Sequence, residues 1–247
     1  MNHAILHSIL SGARPATTYA QPIVGLKDGA IRAQEMLTRF AGEDGEMRAV
    51  GSLLDDPSLA PELRARLDLL CVGAVFDALA RSPITEHLIF VNLSPLTLEQ
   101  PDFWNRIQAW VWHLPIPPHR IVMELTQTCP MPDLEPMEGF AQRLRAIGLR
   151  MAVGDLGAGI ASLANMARLA PDFIKVDRSL VHDAHRRPYQ AALLGALAQF
   201  AERMRVGFIA EGVETMEELQ ALLDADVPWG QGYLLGQPEP LRMPLAL

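Results

Sequence analysis

Lysine is nearly absent from this chain of 247 residues, in which Lys27 and Lys175 are the only two among 21 basic residues. Aspartate and glutamate together number 29, so the net charge is 21 − 29 = −8. Nucleic-acid polymers and anionic membranes bind basic surfaces, and the acidic balance therefore argues against both partners. A lysine inside an apolar segment stands out in such a chain, and Lys175, between Ile174 and Val176, is predicted to be buried.

Cysteines and long apolar runs are scarce as well. Cys71 and Cys129 are too few for a disulfide framework at this length, and their spacing does not suggest a metal site. No apolar run approaches the roughly 18 residues of a membrane span. The first ten residues have no basic segment of the kind that opens a signal peptide. We therefore expect a protein of the reducing cytoplasm.

The first quarter of the chain predicts a short extension and then a hairpin. Residues 1–18 are interpreted as an N-terminal extension, a short helix followed by a loop at 14–18, and residues 19–247 as one domain. Two extended segments flank the turn at 27–29, which is typical of a β-hairpin. Residues 41–60 are rich in Gly, Asp and Pro and predict a loop.

The remainder alternates between apolar strands and amphipathic helices. This alternation predicts βα units, and their number in a chain of this size favours an α/β fold of the closed (β/α)8, TIM-like barrel type. The predicted strands are 87–94, 120–126, 150–155, 173–177, 206–212 and 231–236. The predicted helices are 61–80, 102–114, 135–147, 162–169, 188–204 and 216–226.

The predicted strands end in polar residues, which an apolar core does not require. In a barrel such ends meet on one face, which is where barrel active sites lie. Carboxylate and amide oxygens suit Mg²⁺ or Mn²⁺, and the absence of histidine among them argues against zinc. A metal with a lysine beside it suggests hydrolysis of a phosphate ester. The residues are Glu35, Asn92, Glu124, Asp155, Lys175, Glu211 and Gln231.

Short motifs around these positions resemble one family, the EAL domain phosphodiesterases that cleave cyclic di-GMP to linear pGpG. The resemblance runs from Tyr19 to Pro240 and implies a bacterial signal-transduction protein with a TIM-like barrel. The motifs are Gln21-Pro22-Ile23, Glu35-Met36-Leu37 with Arg39, Val91-Asn92-Leu93-Ser94, Glu124-Leu125-Thr126, Lys175-Val176-Asp177, Ala210-Glu211-Gly212-Val213-Glu214-Thr215 and Gln231-Gly232-Tyr233.

The resemblance assigns roles in metal binding and catalysis. It implies that two Mg²⁺ or Mn²⁺ ions are held by Glu35, Asn92, Glu124 and Asp155. In an active enzyme, Lys175 would orient or activate the attacking water, Glu211 would support the second ion, and Gln231 would lie near the water.

The resemblance also assigns a ligand-binding set. Arg39 would hold a phosphate through bidentate hydrogen bonds that a lysine cannot reproduce. Gln21 and Asp172 would line the nucleotide, and Glu211 and Gln231 would complete the ligand-binding residues.

The chain departs from the family at the metals. Where the family has Asp-Asp-Phe-Gly-Thr-Gly, this chain has Gly154-Asp155-Leu156-Gly157-Ala158-Gly159, so the carboxylate that bridges the two ions is missing. Two dications about 4 Å apart repel by roughly 17 kcal/mol at an effective dielectric constant near 20, and bridging anions offset that repulsion. Metal binding is therefore expected to be weak or absent. The family glutamate that follows Glu-Leu-Thr is replaced by Gln127, and the family tyrosine and serine of the next loop are replaced by Ile160 and Ala161.

Three functions remain open at this point. The chain is a receptor that binds cyclic di-GMP without hydrolysing it and signals to a separate protein, or a weak Mg²⁺- or Mn²⁺-dependent phosphodiesterase, or a protein-interaction module that has lost nucleotide binding. The departures favour the first. The oligomeric state is open, with a homodimer as one option.

Overall fold

The computed structural model describes residues 3–42, 44–54, 56, 58–82, 86–126, 135–156, 166 and 168–241. Its strands are β1 Ala16–Gly25, β2 Ile31–Ala41, β3 Met47–Ala49, β4 Leu88–Leu93, β5 Ile121–Leu125, β6 Arg150–Leu156, β7 Phe173–Val176, β8 Gly207–Ala210, β9 Trp229–Gly230 and β10 Glu239–Pro240. Its α-helices are α1 His3–Leu10, α2 Gly51–Leu54, α3 Pro61–Leu79, α4 Phe103–His113, α5 Glu135–Ala146, α6 Arg178–Val181, α7 Pro188–Met204 and α8 Met216–Asp224.

Eight of the strands form a closed barrel. Strand β1 is antiparallel to both of its ring neighbours, β2 and β9. From β2 the ring continues through β4, β5, β6, β7 and β8 to β9 with parallel pairing throughout. Strands β3 and β10 pair outside the ring, with β2 and β1 respectively. The predicted barrel and its opening hairpin are confirmed.

The barrel interior is filled by one apolar side chain from each strand. Because side chains alternate across a strand, the residue two positions closer to the carboxyl end of each parallel strand also faces the interior. In the antiparallel β1, it is the residue two positions closer to the amino end. A second interior layer therefore lies directly above the apolar one. The apolar layer consists of Ile23, Ala33, Phe90, Val122, Ala152, Phe173 and Ile209, with the half-buried Trp229 packed against them.

Most predicted helices and strands are confirmed within one or two residues. Helix α3 begins at Pro61, which suits the first turn because proline has no N–H to leave unpaired there. A capping box formed by Thr215 and Glu218 starts α8. Among the described helices, none is long and apolar enough to cross a bilayer. Most of the predicted helix 162–169 lies outside the described residues.

Two predictions for the first sixty residues are wrong. The predicted loop at 41–60 contains β3 and α2, since β2 extends far enough to pair Phe40 with Arg48. The predicted loop at 14–18 ends early because β1 begins at Ala16, inside the predicted extension. Within the same extension, α1 buries Leu6 and Ile9 in a cluster with residues of β2 and α3.

The final predicted strand, 231–236, is also wrong. Pairing ends at Gly230, and the following residues turn, with the N–H groups of Leu235 and Gly236 donating to the carbonyl of Gly232. Gly232 approaches the backbone of Val213 so closely that a Cβ there would lie 2.1 Å from its carbonyl oxygen. The chain therefore turns away from the sheet after Gln231, whose N–H still donates to the carbonyl of Ala210 at 2.8 Å.

Candidate functional site

The second interior layer forms a ring of mostly polar residues at the carboxyl ends of the parallel strands. We call this set the polar ring. Every barrel strand, or the residue directly after it, supplies one position, and the antiparallel β1 supplies Gln21 in the same register as Glu35. The ring brings six of the seven predicted strand-end residues together. Its members are Gln21, Glu35, Asn92, Glu124, Gly154, Lys175, Glu211 and Gln231.

Lys175 lies at the centre of the ring and is completely buried, as predicted from the sequence. Its Nζ lies 2.9 Å from Oε2 of Glu35 and 2.6 Å from Oε1 of Glu211. The same ammonium donates to both carboxylate oxygens of Glu124, at 3.0 and 2.9 Å. One buried cation thus holds three carboxyl groups.

Amide side chains complete the hydrogen bonding around Glu35. Asn92 donates through Nδ2 to Oε1 of Glu35 at 2.6 Å, and Gln231 donates through Nε2 to Oε2 at 2.7 Å. Gln231 also donates to Oε1 of Gln21 at 3.0 Å. Glu35 is thereby fixed on both of its oxygens.

The charges in the ring affect the ionisation of its members differently. Burial opposes ionisation of Glu35, but the Lys175 charge and the donated hydrogen bonds outweigh it and lower the pKa of Glu35. Burial holds the pKa of Glu124 well above its usual value, and burial raises the pKa of Glu211 as well. Burial would lower the pKa of Lys175, but the three carboxylates together raise it well above its usual value. Lys175 is therefore charged at every physiological pH.

Gly154 is the ring position that has no side chain. A Cβ at this residue would lie 2.9 Å from Oε1 of Glu124 and 3.5 Å from the carbonyl oxygen of Leu125. The Glu124 carboxylate therefore occupies the space beside Gly154 that a larger residue would need. An aspartate here would face Glu124 and would require that carboxylate to move.

Asp155 belongs to the site but not to the ring. The pairing of β6 with β7 is irregular between Val153 and Leu156, and Asp155 has a left-handed backbone with φ of 55°. Its carboxylate lines the cavity beside the ring and contributes to raising the pKa of Glu211. It does not replace the carboxylate that Gly154 lacks, because it projects from a different position.

A cavity of about 350 Å³ extends from the ring to Arg39 and the inner side of α3, and we call it the Arg39 cavity. The guanidinium of Arg39 stacks over the Tyr19 ring with its carbon 4.8 Å from the ring centroid. Among the described residues, no group accepts a hydrogen bond from its buried Nε. Packing thus holds Arg39 in place, and its Nε–H remains available to donate a hydrogen bond.

Asp172, predicted to line the nucleotide, lies elsewhere. It precedes Phe173 at the amino end of β7, the end of the barrel opposite the polar ring. Its carboxylate accepts a hydrogen bond from the backbone N–H of Met151 at 2.9 Å, and its backbone joins β6 to β8. We therefore remove Asp172 from the ligand-binding set, since its side chain ties two strands together.

The donors predicted for a metal suit a hard cation chemically. Glu35, Asn92, Glu124 and Asp155 all offer oxygen atoms, as Mg²⁺ and Mn²⁺ require. Their arrangement does not form a metal site, because among the described residues no group of three or more Asp, Glu, His or Cys side chains is placed to hold an ion. The carboxylates converge on Lys175 instead. The donors are therefore of the right kind for such an ion, but in the described part of the chain they are not arranged around one.

Sequence reasoning missed Asp68, a buried carboxyl in α3 that lines the Arg39 cavity. It accepts hydrogen bonds from the backbone N–H of Ser94 at 2.9 Å and from Oγ1 of Thr97 at 2.5 Å, which anchors the segment following Asn92. Burial raises the pKa of Asp68 to about 6. A charged residue within the apolar run of α3 is the signal that could have identified it.

We expect Asp68→Asn to stabilise the protein at pH 8 by about 3 kcal/mol, at 1.36 kcal/mol per pKa unit, and to have little effect at pH 4. Because the folded-state pKa lies above the ordinary value of 3.8, wild-type stability falls as the pH rises from about 4 through 6 and the carboxyl ionises in the folded state. Urea unfolding of both proteins across this range measures the difference. Asp77→Asn, an exposed change on the same helix, is the matched control. Equal stabilisation by Asp68→Asn at pH 5 and pH 8 would contradict the assignment.

The fold and the ring together define a class. The chain is a β/α barrel whose polar chamber, with carboxylates around one buried lysine, lies at the end where barrel enzymes bind their substrates. It belongs to the EAL domain family, whose model matches residues 7–238.

Relatives of the chain carry names from cyclic di-GMP metabolism. The probable cyclic di-GMP phosphodiesterase PdeA of Escherichia coli K12 is 31% identical over 226 residues, covering 90% of this chain and 30% of the relative. The cyclic di-GMP phosphodiesterase PdeA of Borreliella burgdorferi is 25% identical over 228 residues, covering 91% and 34%. The chain thus spans about a third of the length of the curated relatives it matches.

Solved structures agree with the fold. Klebsiella pneumoniae BlrP1, in a complex with manganese and cyclic di-GMP at pH 6, superposes with a TM-score of 0.82 at 26% identity. The match covers 93% of this chain and 57% of that one.

Proposed function

We propose that this domain binds cyclic di-GMP in the cytoplasm without hydrolysing it and passes the signal to a separate protein. Family membership and the names of the relatives support the ligand. The observation that supports the loss of hydrolysis is at the polar ring, where Gly154 supplies no carboxylate and Lys175 already forms ion pairs with all three glutamates.

The charges of the polar ring oppose catalysis. Lys175 lies within 3.0 Å of oxygens of Glu35, Glu124 and Glu211. To gather metal ions, the ring would have to release these contacts and then hold the ions without a bridging carboxylate at position 154. Each lost contact is a buried charged interaction, which is costly to break without replacement. An ion bound at the ring would therefore compete with Lys175 for the same carboxylate oxygens.

Arg39 is the residue that favours nucleotide binding. Its guanidinium is fixed over Tyr19, retains an unused buried donor and opens into a cavity continuous with the ring. A phosphate of the ligand is a suitable acceptor, since a guanidinium can bind it through two parallel hydrogen bonds. The second cavity arginine, Arg64, already donates to the backbone carbonyls of Asp56 and Leu59.

A weak Mg²⁺- or Mn²⁺-dependent phosphodiesterase is the second candidate. The register of the barrel favours it, because Asn92 and Glu124 are paired on adjacent strands and Asn92 also contacts Glu35. If an ion binds, Glu35, Asn92, Glu124 and Asp155 would hold it, and it would polarise a phosphoryl oxygen. Lys175 would then be free to orient water through its ammonium.

We expect Arg39→Lys to weaken cyclic di-GMP binding at least tenfold, because an ammonium keeps the charge but cannot form the paired hydrogen bonds. Equilibrium binding to the full chain at fixed ionic strength measures the change. Arg32→Lys is the control, since Arg32 lies on the same strand but is exposed and paired with Asp28. Unchanged affinity in Arg39→Lys would remove Arg39 from the binding site, whereas absence of binding by the wild type would favour a module that no longer binds nucleotide.

A further inference from the structure

A groove follows the outer face of α3, between the segment 9–16 on one side and α4 on the other. Its volume is about 700 Å³, against about 350 Å³ for the Arg39 cavity. Its floor is made of half-buried apolar and small residues, so hydrocarbon faces water there. We call it the α3 groove, and its floor residues are Leu10, Leu70, Gly73, Ala74 and Trp110.

A glycine keeps the floor of the groove low. The Trp110 ring stacks on Phe76 with the ring centroids 5.5 Å apart. It also lies against Gly73, where a Cβ would be 2.9 Å from the ring. A larger residue at position 73 would therefore displace Trp110 into the groove. Small residues on the floor let the backbone of an incoming segment approach closely.

Arginines surround this floor in a chain whose net charge is −8. Four arginines and two aspartates line the groove, so its local balance is 4 − 2 = +2. Three of the arginines are exposed, and among the described residues none of these three forms an ion pair with a carboxylate. The exposed arginines are Arg66, Arg81 and Arg106, the fourth is Arg14, and the aspartates are Asp77 and Asp102.

The groove and the Arg39 cavity lie on opposite faces of the same helix. At 100° per residue, Arg66, Leu70, Gly73 and Asp77 fall within an arc of about 60° that faces the groove. The α3 residues that line the Arg39 cavity fall within an arc of about 80° on the other side of the helix. These cavity residues are Arg64, Asp68, Cys71, Val72 and Val75.

We infer that the α3 groove docks an acidic amphipathic helix of a partner protein. An apolar floor between packed elements accepts the apolar face of a helix, as in other helix-in-groove complexes. The unpaired arginines then meet carboxylates of that helix, which a guanidinium binds through paired hydrogen bonds. From Arg66 to Asp77 the groove follows α3 for about 17 Å, which matches about three turns of a partner helix.

The position of the groove fits the partner that would receive the signal. A nucleotide in the Arg39 cavity and a helix in the α3 groove would contact α3 from opposite sides. That link rests on the proposed function. Docking in the groove does not require nucleotide, and its test uses none.

Selection from a peptide library against the full chain tests the docking site. The probes are 18-residue helical peptides with leucine along one face and a random choice of glutamate, glutamine or lysine at every other position. We expect the wild-type chain to enrich peptides that carry glutamate beside the leucines. Such a peptide should bind, by fluorescence anisotropy, with a dissociation constant on the order of tens of micromolar or tighter.

Reversing the charge of the groove should reverse this preference. Arg66→Glu and Arg106→Glu should each weaken binding of the enriched acidic peptide at least tenfold, and the double variant should enrich lysine when the selection is repeated. Both arginines are exposed, so the variants should fold, which urea unfolding checks. Arg203→Glu, the same charge change at an exposed position of α7, is the matched control and should leave the affinity unchanged.

Three outcomes would overturn the inference. The first is enrichment of leucine-rich peptides without a preference for glutamate, and the second is equal affinity in the wild type and the double variant. The third is an affinity that falls as the protein concentration rises, because a second copy of the chain would then occupy the groove. Since the assay contains no nucleotide, each of these failures is distinct from a failure of cyclic di-GMP binding.

Discussion

Combining Gly154→Asp with Gln127→Glu is expected to raise Mn²⁺-dependent hydrolysis of cyclic di-GMP at least a hundredfold, or about 2.7 kcal/mol of barrier at 1.36 kcal/mol per factor of ten. The expectation follows from the polar ring, in which position 154 is the interior position without a side chain. An aspartate there would restore the carboxylate that the family pattern has at this position, which would help to hold Mn²⁺. Gln127 lies outside the described residues, and its replacement restores the second acidic residue of the family pattern.

The contact between Gly154 and Glu124 explains why the effect should be large. The new Cβ would lie 2.9 Å from Oε1 of Glu124, so that carboxylate must turn away from its present position. Turning it weakens its contacts with Lys175 at 2.9 and 3.0 Å and frees it to bind an ion. A single substitution thus adds one ligand and releases another.

Gly154→Ala, with and without Gln127→Glu, is the matched control. It introduces the same Cβ and the same displacement of Glu124 but no carboxylate, and it should yield no more pGpG than the wild type. Hydrolysis is followed by chromatographic detection of linear pGpG with Mn²⁺ in excess. If Gly154→Asp with Gln127→Glu binds cyclic di-GMP but yields no more pGpG than the wild type, these two residues do not account for the proposed loss of hydrolysis.

Lys175→Met is expected to reduce the free energy of unfolding by about 3 to 5 kcal/mol at pH 8, the range observed when one partner of a buried ion pair is removed. The substitution leaves Glu35, Glu124 and Glu211 facing one another with no cation between them. Urea unfolding monitored by circular dichroism measures the loss.

The loss should be smaller at pH 5. Without Lys175, burial and mutual repulsion raise the pKa values of the three glutamates, so they take up protons in the folded state. A carboxyl whose folded-state pKa is raised costs stability as the pH rises through that pKa, and the variant is therefore most destabilised at high pH.

Lys27→Met is the matched control, because Lys27 is the other lysine of the chain and forms an exposed pair with Asp226. Exposed ion pairs contribute about 0 to 1 kcal/mol to stability, so Lys27→Met should leave the free energy of unfolding almost unchanged. A Lys175→Met variant that loses no more stability than Lys27→Met would contradict the central role given to the buried ammonium.

Local patterns were enough to predict the barrel. Alternating strands and helices predict βα units, and the polar residues that end the strands predict the site because the carboxyl ends of parallel strands meet. The scarcity of lysine also identified Lys175, whose burial follows from its apolar neighbours.

Three-dimensional register explains what the sequence alone could not predict. The strand-end pattern selects Asp155, yet the irregular pairing after Val153 turns it off the ring and leaves Gly154 in the interior position. Asp172 resembles a site residue in sequence, but β7 runs from it toward the site, so it lies at the wrong end. The hydrogen bonds of Asp68 depend on the approach of α3 to the segment after β4, which no short motif encodes.

Calorimetric titration of the full chain with cyclic di-GMP in excess EDTA tests the central claim most directly. The account predicts saturable binding at micromolar concentration or tighter, with the nucleotide recovered intact at the end of the titration. Absence of binding in EDTA followed by binding and conversion to pGpG in Mn²⁺ would contradict it and identify a metal-dependent enzyme. Absence of binding under both conditions would contradict it as well and leave a protein-interaction module.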